Sequence, residues 1–277
     1  RWEDFAALSE VVPSLTRIYP NGNADVNHFH AAGGMTYLIS TLLDAGLLHG
    51  DILTVADHRG MQDYRTEPFL DKGALLWKPG VDASLDQEVL RAANNPFSAD
   101  GGMKVVDGNL GRGIVKVSAV KDEHRIIEAP AIVFSSQAEF NAAFQAGELN
   151  RDFVAVVRFQ GPQANGMPEL HKLTPPLGVL QDQGFKVALV TDGRMSGASG
   201  KVPAAIHISP ECVDGGPLLK VNTADLIRLD ANAGTLELLV DESTLANRIP
   251  SAYQAQDNHV GMGRELFSIF RAIKWKI

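Results

Sequence analysis

The feature that most constrains the fold is a series of short apolar runs in the second part of the chain. They alternate with turn-forming stretches, and few helical patterns lie between them. The predicted strands are Met103–Val106, Ile114–Val117, Ala131–Phe134, Phe153–Phe159, Lys186–Thr191, Ala204–Ile208, Leu226–Leu229 and Leu236–Val240. Many short strands with few helices are typical of a β-rich α/β domain. We therefore predict a curved sheet or partial barrel flanked by helices, since a regular doubly wound fold would need more helix.

The amino-terminal part has a different pattern, with helices on both sides of a polar turn region. The apolar stripe from Met35 to Leu43 has helical spacing and predicts a helix that Gly46 ends. Pro13 should end an earlier helix, because proline has no backbone N–H to donate. A short apolar run at Asp51–Ala56 predicts one strand.

Prolines at positions 68, 79 and 96 interrupt the pattern between these two parts. We therefore place a domain boundary near Asn95–Pro96, which divides the chain into residues 1–95 and 96–277. The other predicted helices are Ala138–Gln145, Leu177–Gln181 and Met262–Arg271.

Composition and charge limit the class of protein. The chain has 277 residues, 45% of them hydrophobic and 21% charged, which excludes a disordered or collagen-like protein. The net charge of -8 disfavours binding to nucleic acid or to an anionic membrane surface. No apolar run approaches the ~18–20 residues that cross a bilayer, and no signal peptide opens the chain. We expect a soluble cytoplasmic protein.

The chain has a single cysteine, Cys212. One thiol excludes disulfides, and any multi-thiolate metal or iron–sulfur site, within this chain. The first residue is Arg1 rather than Met, and the residues after it have the pattern of a helix interior. We therefore expect the chain to be part of a longer protein.

The most unusual segment is a glycine-rich loop with two serines, Thr191-Asp-Gly-Arg-Met-Ser-Gly-Ala-Ser-Gly-Lys201, directly after an apolar strand. Glycines permit a close approach of a ligand, and converging backbone N–H groups can bind an anion or stabilise a serine alkoxide. A tight turn that uses serine only for solvation explains the segment equally well. The loop is not a nucleotide P-loop, because Met195 and Val202 stand where that motif needs glycine and serine or threonine.

A second glycine- and proline-rich segment, Gln160–Lys172, follows the predicted strand Phe153–Phe159. Its Glu169 lies one residue after Pro168, where a helix can begin, so the carboxylate can simply interact with the helix dipole. The alternative is a ligand for a hard cation such as Mg²⁺, which prefers oxygen donors. From the local sequence alone, the helix cap is the better explanation.

Two histidines, His28 and His30, are two residues apart, so on an extended strand they would share a face. With a glycine pair and a helix after them they could form an anion or metal site. Isolated histidine pairs are more often structural, and Cys212 has no neighbour that indicates an activated thiolate.

Several of these segments, in this order, resemble the dihydroxy-acid dehydratase/6-phosphogluconate dehydratase family. The resemblance is carried by the block from Val187 to Glu211, Asp214-Gly-Gly-Pro217, Asn165-Gly-Met-Pro-Glu169, Asn94-Asn-Pro96, Gly101-Gly102 and Gly108-Asn-Leu110. Within the family, the 6-phosphogluconate branch is the most similar. The segments that indicate this branch are Tyr19-Pro-Asn-Gly22, Asp25-Val-Asn-His-Phe-His-Ala-Ala-Gly-Gly-Met35 and Glu169-Leu-His-Lys-Leu-Thr-Pro-Pro-Leu-Gly178.

The resemblance implies a division of the chain between two family domains. Residues 96–277 would form the β-rich swivelling carboxyl-terminal domain, and residues 1–95 the end of the larger amino-terminal α/β domain. Family members bind an iron–sulfur cluster through cysteines in an earlier part of that domain. We therefore expect a [4Fe-4S] cluster with ligands outside this chain, a homodimer when full length, and no activity from this chain alone.

The implied reaction is the removal of water from a 2,3-dihydroxy acid. For this branch it is the dehydration of 6-phospho-D-gluconate to 2-keto-3-deoxy-6-phosphogluconate, in the Entner–Doudoroff pathway. Ser196 matches the family serine that acts as base at C2, and Glu169 matches a carboxylate that binds Mg²⁺. The expected substrate-binding residues are Arg194, Gly197, Ser199, Lys201, His171 and Lys172, of which the last three are nominated for the 6-phosphate.

Two alternatives stay open at this point. One is the same chemistry on another sugar acid or 2,3-dihydroxy acid. The other is a non-catalytic domain that binds an anion or a partner protein.

Overall fold

A computed structural model describes residues 1–55, 59–196, 200–253 and 268–269. The chain divides into two compact units, Arg1–Gly102 and Met103–Ile277. The boundary at residues 95–96, and the assignment of the two parts to family domains, stay predictions.

The described residues of the first unit form three α-helices and a small core. Helix α1 spans Trp2–Val11, α2 spans Val26–Ala31 and α3 spans Gly34–Asp44. Pro13 follows the C-cap of α1 and Gly46 follows the C-cap of α3, so both helix ends are predicted correctly. The core consists of Phe29, Ala32, Tyr37, Val89 and Leu90.

His28 and His30 lie in helix α2 and not on a strand, so the expectation of a shared strand face is wrong. Asp25 caps this helix, and its carboxylate accepts hydrogen bonds from the N–H groups of Asn27 and His28 at 2.8 and 3.1 Å. The Nδ1 atom of His28 lies 2.8 Å from the same carboxylate oxygen. His28 therefore takes part in a helix cap.

The structure corrects the strand prediction for the first unit. Residues 51–55 form a turn and irregular backbone and no strand, and Leu53 and Val55 are 98% and 102% exposed, so their side chains are not packed; Ala56 lies outside the described residues. Instead, an antiparallel hairpin is formed by β1 (Thr66–Asp71) and β2 (Ala74–Pro79). The sequence pattern missed this hairpin because none of its residues is buried.

The second unit contains an eight-stranded sheet, and each of its strands overlaps a predicted one, although β5 begins five residues before the predicted start. The strands are β3 (Met103–Val106), β4 (Arg112–Lys116), β5 (Ile126–Phe134), β6 (Phe153–Val157), β7 (Val187–Thr191), β8 (Ala204–Ser209), β9 (Leu226–Asp230) and β10 (Thr235–Leu238).

The α-helices described in this unit are α4 (Gln137–Gln145), α5 (Pro162–Asn165), α6 (Thr174–Asp182) and α7 (Glu242–Asn247). The predictions for α4 and α6 are confirmed. The helix predicted at Met262–Arg271 lies outside the described residues, apart from residues 268–269.

The strand order is β10-β9-β5-β6-β7-β8-β4-β3, with β5 to β8 parallel and the other pairs antiparallel. The two ends of this sheet meet where Asp107, directly after β3, forms a bridge to Thr235 of β10. The Asp107 N–H donates to the carbonyl oxygen of Gly234 at 3.0 Å, and the Leu236 N–H donates to that of Asp107 at 3.1 Å. The result is a nearly closed barrel, which confirms the predicted β-rich α/β fold.

Gly108 permits this closure. A Cβ atom at this position would lie 2.0 Å from the carbonyl oxygen of Leu236, so a side chain does not fit. The next residue, Asn109, accepts a hydrogen bond from the Leu238 N–H at 2.7 Å and donates one to the Leu238 carbonyl oxygen at 2.9 Å. The Gly108-Asn pair therefore joins the end of β3 to β10.

Strands β6 and β7 are buried on both faces. In β6, Val154 and Val156 lie in the barrel interior, whereas Phe153, Ala155 and Val157 pack with residues of helices α4 and α6. Strands covered on both faces have consecutive apolar residues, which makes them easy to find in a sequence. Their carboxyl ends carry the two glycine-rich loops.

Candidate functional site

The two glycine-rich loops lie side by side at one edge of the barrel. Strands β6 and β7 are parallel neighbours, so the loops that follow them are adjacent. A short parallel bridge joins the loops at Glu169 and Arg194, where the Leu170 N–H donates to the Arg194 carbonyl oxygen at 3.0 Å. The Nε atom of Arg194 donates to the carbonyl oxygen of Met167 at 3.0 Å. The structure therefore brings the two predicted motifs together.

Glu169 does not lie in the first turn of a helix. A 3-10 helix spans His171–Leu173 and helix α6 begins at Thr174, so the explanation of Glu169 as a helix cap is wrong. Gln137 of helix α4 contacts the same segment from the side opposite the serine loop. Its Nε2 atom donates to the Glu169 carbonyl oxygen at 3.5 Å, and its Oε1 atom accepts from the Lys172 N–H at 3.2 Å. The backbone of Glu169 is thus held by both α4 and the serine loop.

Ser196 is partly buried and lies in the wall of a pocket of about 180 Å³. The described part of its lining is mainly apolar and comes from β3, β4, β7, β8, helix α6 and the serine loop. Among the residues that the structure describes, the polar side chains in the lining are those of Lys116, Thr174, Ser196 and His207. The serine predicted to be the base therefore faces a space that a small molecule can enter.

The other predicted substrate-binding residues have different positions. Arg194 is exposed and packs beside the Glu169 segment. Gly197 and Ser199 lie outside the described residues. Lys201, His171 and Lys172 are exposed and do not line the pocket that contains Ser196. The roles of these six residues stay predictions.

The sequence prediction missed Asp192, which fixes the first residues of the serine loop through hydrogen bonds. This residue is 1% exposed, and its two carboxylate oxygens accept hydrogen bonds from the N–H groups of Gln160 at 2.9 Å and Cys212 at 3.0 Å. Burial raises the pKa of Asp192 above its ordinary value despite these hydrogen bonds. One buried carboxylate therefore joins the segments that follow β6, β7 and β8.

Gln160 extends this network to β5. Its Nε2 atom donates to the carbonyl oxygens of Ser135 and Arg158, both at 3.0 Å. Its Oε1 atom accepts a hydrogen bond from Asn165 Nδ2 at 3.0 Å. A buried side chain whose amide is satisfied in this way fixes its neighbours, and here it fixes the start of the segment that leads to Glu169.

Glu211 holds the short helix α5 from its amino-terminal end. Its carboxylate accepts hydrogen bonds from the N–H groups of Gln163 at 3.0 Å and Ala164 at 3.2 Å. Gly161 permits this approach, because a Cβ atom there would lie 2.3 Å from Glu211 Oε2. Burial raises the pKa of Glu211. The carboxylate therefore ties the segment after β8 to the one after β6.

Two further pocket residues, Lys116 and His207, were also missed. Burial lowers the pKa of the Lys116 ammonium. Burial, and then the charge of Arg194, lower the pKa of His207, so its ring is neutral at neutral pH. The His207 backbone has a φ of 56°, and its N–H donates to the carbonyl oxygen of Gly193 at 2.9 Å. This bond ties β8 to the serine loop.

A sequence signal existed for some of these residues. Asp192 and Gln160 are polar residues directly after apolar strands, which is where functional groups collect in parallel sheets. His207 interrupts an otherwise apolar run. Lys116 had no such signal, because only the order of the strands brings it to the serine loop.

Metal ligands are sparse among the residues that the structure describes. No group of three or more His, Cys, Asp or Glu side chains there could hold a metal ion. Cys212 is 1% exposed, and burial raises the pKa of its thiol, so it is not a thiolate at neutral pH. In the same part of the chain, no helix has the length and apolar character that a membrane span requires.

Two family models match the chain. One described as dihydroxy-acid/6-phosphogluconate dehydratase C-terminal matches residues 88–274, and one described as dihydroxy-acid/6-phosphogluconate dehydratase N-terminal matches residues 1–63. Together they cover most of the chain, including both glycine-rich loops.

Curated relatives agree with these models. The phosphogluconate dehydratase of Pseudomonas aeruginosa is 60% identical over 270 residues, which is 98% of this chain and 44% of that protein. The phosphogluconate dehydratase of Escherichia coli K12 is 57% identical over 270 residues, 98% of this chain and 45% of that protein. The dihydroxy-acid dehydratase of Pyrococcus furiosus is 35% identical over 250 residues, 89% of this chain and 42% of that protein. The chain thus spans less than half the length of these relatives.

Proposed function

Because the chain belongs to the dihydroxy-acid/6-phosphogluconate dehydratase family, we propose that the whole protein is a hydro-lyase acting on 6-phospho-D-gluconate. The product would be 2-keto-3-deoxy-6-phosphogluconate. The observation that carries the proposal is the position of Ser196, in a pocket wall and in the loop that is bridged to the Glu169 segment. The high identity to phosphogluconate dehydratases supports the choice of substrate.

The reaction breaks the C2–H and C3–O bonds of the sugar acid. In this proposal the Ser196 alkoxide takes the C2 proton, and the electron pair of that bond forms the C2=C3 double bond. The C3 hydroxyl leaves as hydroxide and takes up the proton that Ser196 has received, so that water forms; the resulting enol tautomerises to the 2-keto acid. This transfer restores the Ser196 alkoxide for the next turnover.

A serine alkoxide needs strong stabilisation, because a serine hydroxyl is a weak acid. Negative charge also develops beside the substrate carboxylate when the C2 proton leaves, so positive groups and N–H donors assist the reaction. Lys116 places a cationic side chain in the same pocket wall as Ser196. Asp192 fixes the start of the loop, so that the hydroxyl need not be reoriented during the reaction.

The proposed cofactors require ligands from elsewhere. An iron–sulfur cluster, of the [4Fe-4S] type in this proposal, would supply a Lewis acid for the leaving hydroxyl. The residues of this chain do not fit such a cluster, because Cys212 is the single thiol and is buried. We also propose Glu169 as one ligand of Mg²⁺, with the other ligands outside the described residues, since the described part has no group of three ligands.

The remaining assignments belong to the same proposal. Arg194, Gly197 and Ser199 would contact the substrate, and Lys201, His171 and Lys172 would contact its 6-phosphate. The whole protein would be a cytoplasmic homodimer, in which residues 1–95 end the amino-terminal domain and residues 96–277 form the swivelling domain.

The test uses the whole protein, prepared with its cluster under anaerobic conditions. The rate of 2-keto acid formation is measured with 6-phospho-D-gluconate, D-gluconate and a branched 2,3-dihydroxy acid. We expect the phosphorylated substrate to be preferred by more than about tenfold. Faster turnover of another acid would refute the substrate assignment. No turnover of any of the three by cluster-loaded protein would refute the hydro-lyase itself.

A further inference from the structure

The pocket beside Ser196 has a lysine in its wall, Lys116, which comes from a distant part of the sequence. The strand order β7-β8-β4 brings the two residues together across one intervening strand. Alternation along β4 sets the direction of the side chain: Val115 lies in the barrel interior, whereas Ile114 and Lys116 line the pocket on the outer face. The position of Lys116 is therefore set by a regular strand and not by a loop.

The surroundings of this lysine are unusual for a cation. Most of the pocket wall is apolar, with Ile114 on the same strand and Leu177 of helix α6 in the lining. Removal from water disfavours the ammonium form, and burial lowers the pKa of Lys116 accordingly. An anionic ligand in the pocket would stabilise the charged form again, so the site is better suited to an anion than to a neutral molecule.

We propose that Lys116 binds an oxyanion of the ligand that occupies the serine pocket. The identity of that ligand rests on the proposed function: 6-phospho-D-gluconate has a carboxylate at one end and a phosphate at the other. An ammonium group binds either oxyanion as a point charge. Lys172 and Lys201 are exposed and do not line this pocket, so within the pocket Lys116 is the group that would bind an oxyanion, whereas those two lysines could contact only a part of the ligand outside it.

The test compares two substitutions in the whole protein. Lys116→Met removes the charge but keeps an unbranched side chain that packs against the apolar wall. Lys186→Met is the matched control, because Lys186 is exposed and directly precedes β7, at the end opposite the serine loop. Isothermal titration calorimetry, with each substitution made in a Ser196→Ala background so that the ligand is bound and not dehydrated, gives the dissociation constants for 6-phospho-D-gluconate, D-gluconate and inorganic phosphate.

We expect Lys116→Met to weaken the binding of 6-phospho-D-gluconate by roughly 10- to 100-fold, as for loss of a hydrogen bond to a charged group. Lys116→Arg should keep most of the affinity, and Lys186→Met should keep all of it. A parallel loss for D-gluconate assigns the carboxylate to Lys116, and a parallel loss for inorganic phosphate assigns the phosphate. Equal affinities of the Lys116→Met and Lys186→Met proteins, or no binding of any of the three ligands, would overturn the proposal.

If the Lys116→Met protein does not fold, a second measurement on the unsubstituted protein tests the same proposal. In the unchanged protein, 6-phospho-D-gluconate should slow the acetylation of Lys116 by acetic anhydride, read by mass spectrometry, and leave that of Lys186 unchanged. Equal acetylation of Lys116 with and without the ligand would overturn the proposal.

The proposed function and the Lys116 proposal can fail separately. Wild-type protein that binds the ligand without dehydrating it contradicts the proposed function alone. Active protein whose affinity survives Lys116→Met contradicts the Lys116 proposal alone.

Discussion

The carboxylate of Asp192 accepts a hydrogen bond of 3.0 Å from the backbone N–H of Cys212, across 20 residues of chain. Its other oxygen accepts a bond of 2.9 Å from the N–H of Gln160. Asp192 belongs to the serine loop, so the start of that loop is fixed from two sides by a side chain that water barely reaches. Asp192 therefore anchors the start of the loop that carries Ser196.

Replacement of Asp192 by Asn should lower both stability and activity. An amide has one acceptor oxygen, whereas the two carboxylate oxygens each accept a backbone N–H, so one buried donor is left without a partner. We expect a loss of about 1–3 kcal/mol in unfolding free energy, measured by urea denaturation. Asp182→Asn, at the exposed end of α6, is the control. If both variants unfold at the same urea concentration and react at the same rate, Asp192 does not hold these segments together as inferred.

Closure of the barrel depends on Gly108. Gly108→Ala would bring Cβ to 2.0 Å from the Leu236 carbonyl oxygen, so β3 and β10 must separate. We expect destabilisation by roughly 1–3 kcal/mol, as for overpacking. Gly178→Ala in α6 is the matched control, since a Cβ there has no atom within 4 Å. Urea denaturation should separate the two variants, and similar unfolding midpoints would show that the closure contributes little to stability.

His207 should make the folded protein sensitive to mild acid. Its folded pKa lies below the ordinary value of 6.5, because of burial and then the charge of Arg194. As the pH falls through 6.5, the unfolded chain binds a proton that the folded protein refuses, so stability decreases until the pH passes the folded pKa. In the His207→Asn variant, which suits the positive φ, this contribution is absent.

The measurement for His207 is the thermal midpoint at about pH 7.5 and pH 5.5, on either side of an unperturbed histidine. The wild-type protein should lose more degrees between the two values than the His207→Asn variant. An identical loss in both proteins would mean that the folded and unfolded states bind this proton equally well.

The sequence predicted secondary structure correctly where the pattern of apolar residues matches the pattern of buried residues. Strands β6 and β7 could be predicted because they are covered on both faces and are therefore continuously apolar. The hairpin Thr66–Pro79 could not, because its residues are exposed and proline interrupts the first strand. The strand prediction at residues 51–55 was wrong for the opposite reason, since the apolar residues there are exposed in an irregular segment.

The site was predictable only where its residues lie within one segment. The serine loop and the Glu169 segment stand out locally, and the order of β6 and β7 then makes them neighbours. Lys116 and Cys212 reach the same region through the antiparallel β4 and the segment after β8. Contacts between distant segments depend on the strand order, which local patterns do not determine.

The most direct test of the account is Ser196→Ala in the whole, cluster-loaded protein, with Ser243→Ala on the exposed face of α7 as control. Loss of the general base should lower kcat for 6-phospho-D-gluconate by roughly 100- to 10,000-fold, with the substrate affinity and the absorption spectrum of the cluster unchanged. The Ser243→Ala protein should be fully active. Near-normal turnover in the Ser196→Ala protein would contradict the assignment of Ser196 as the base.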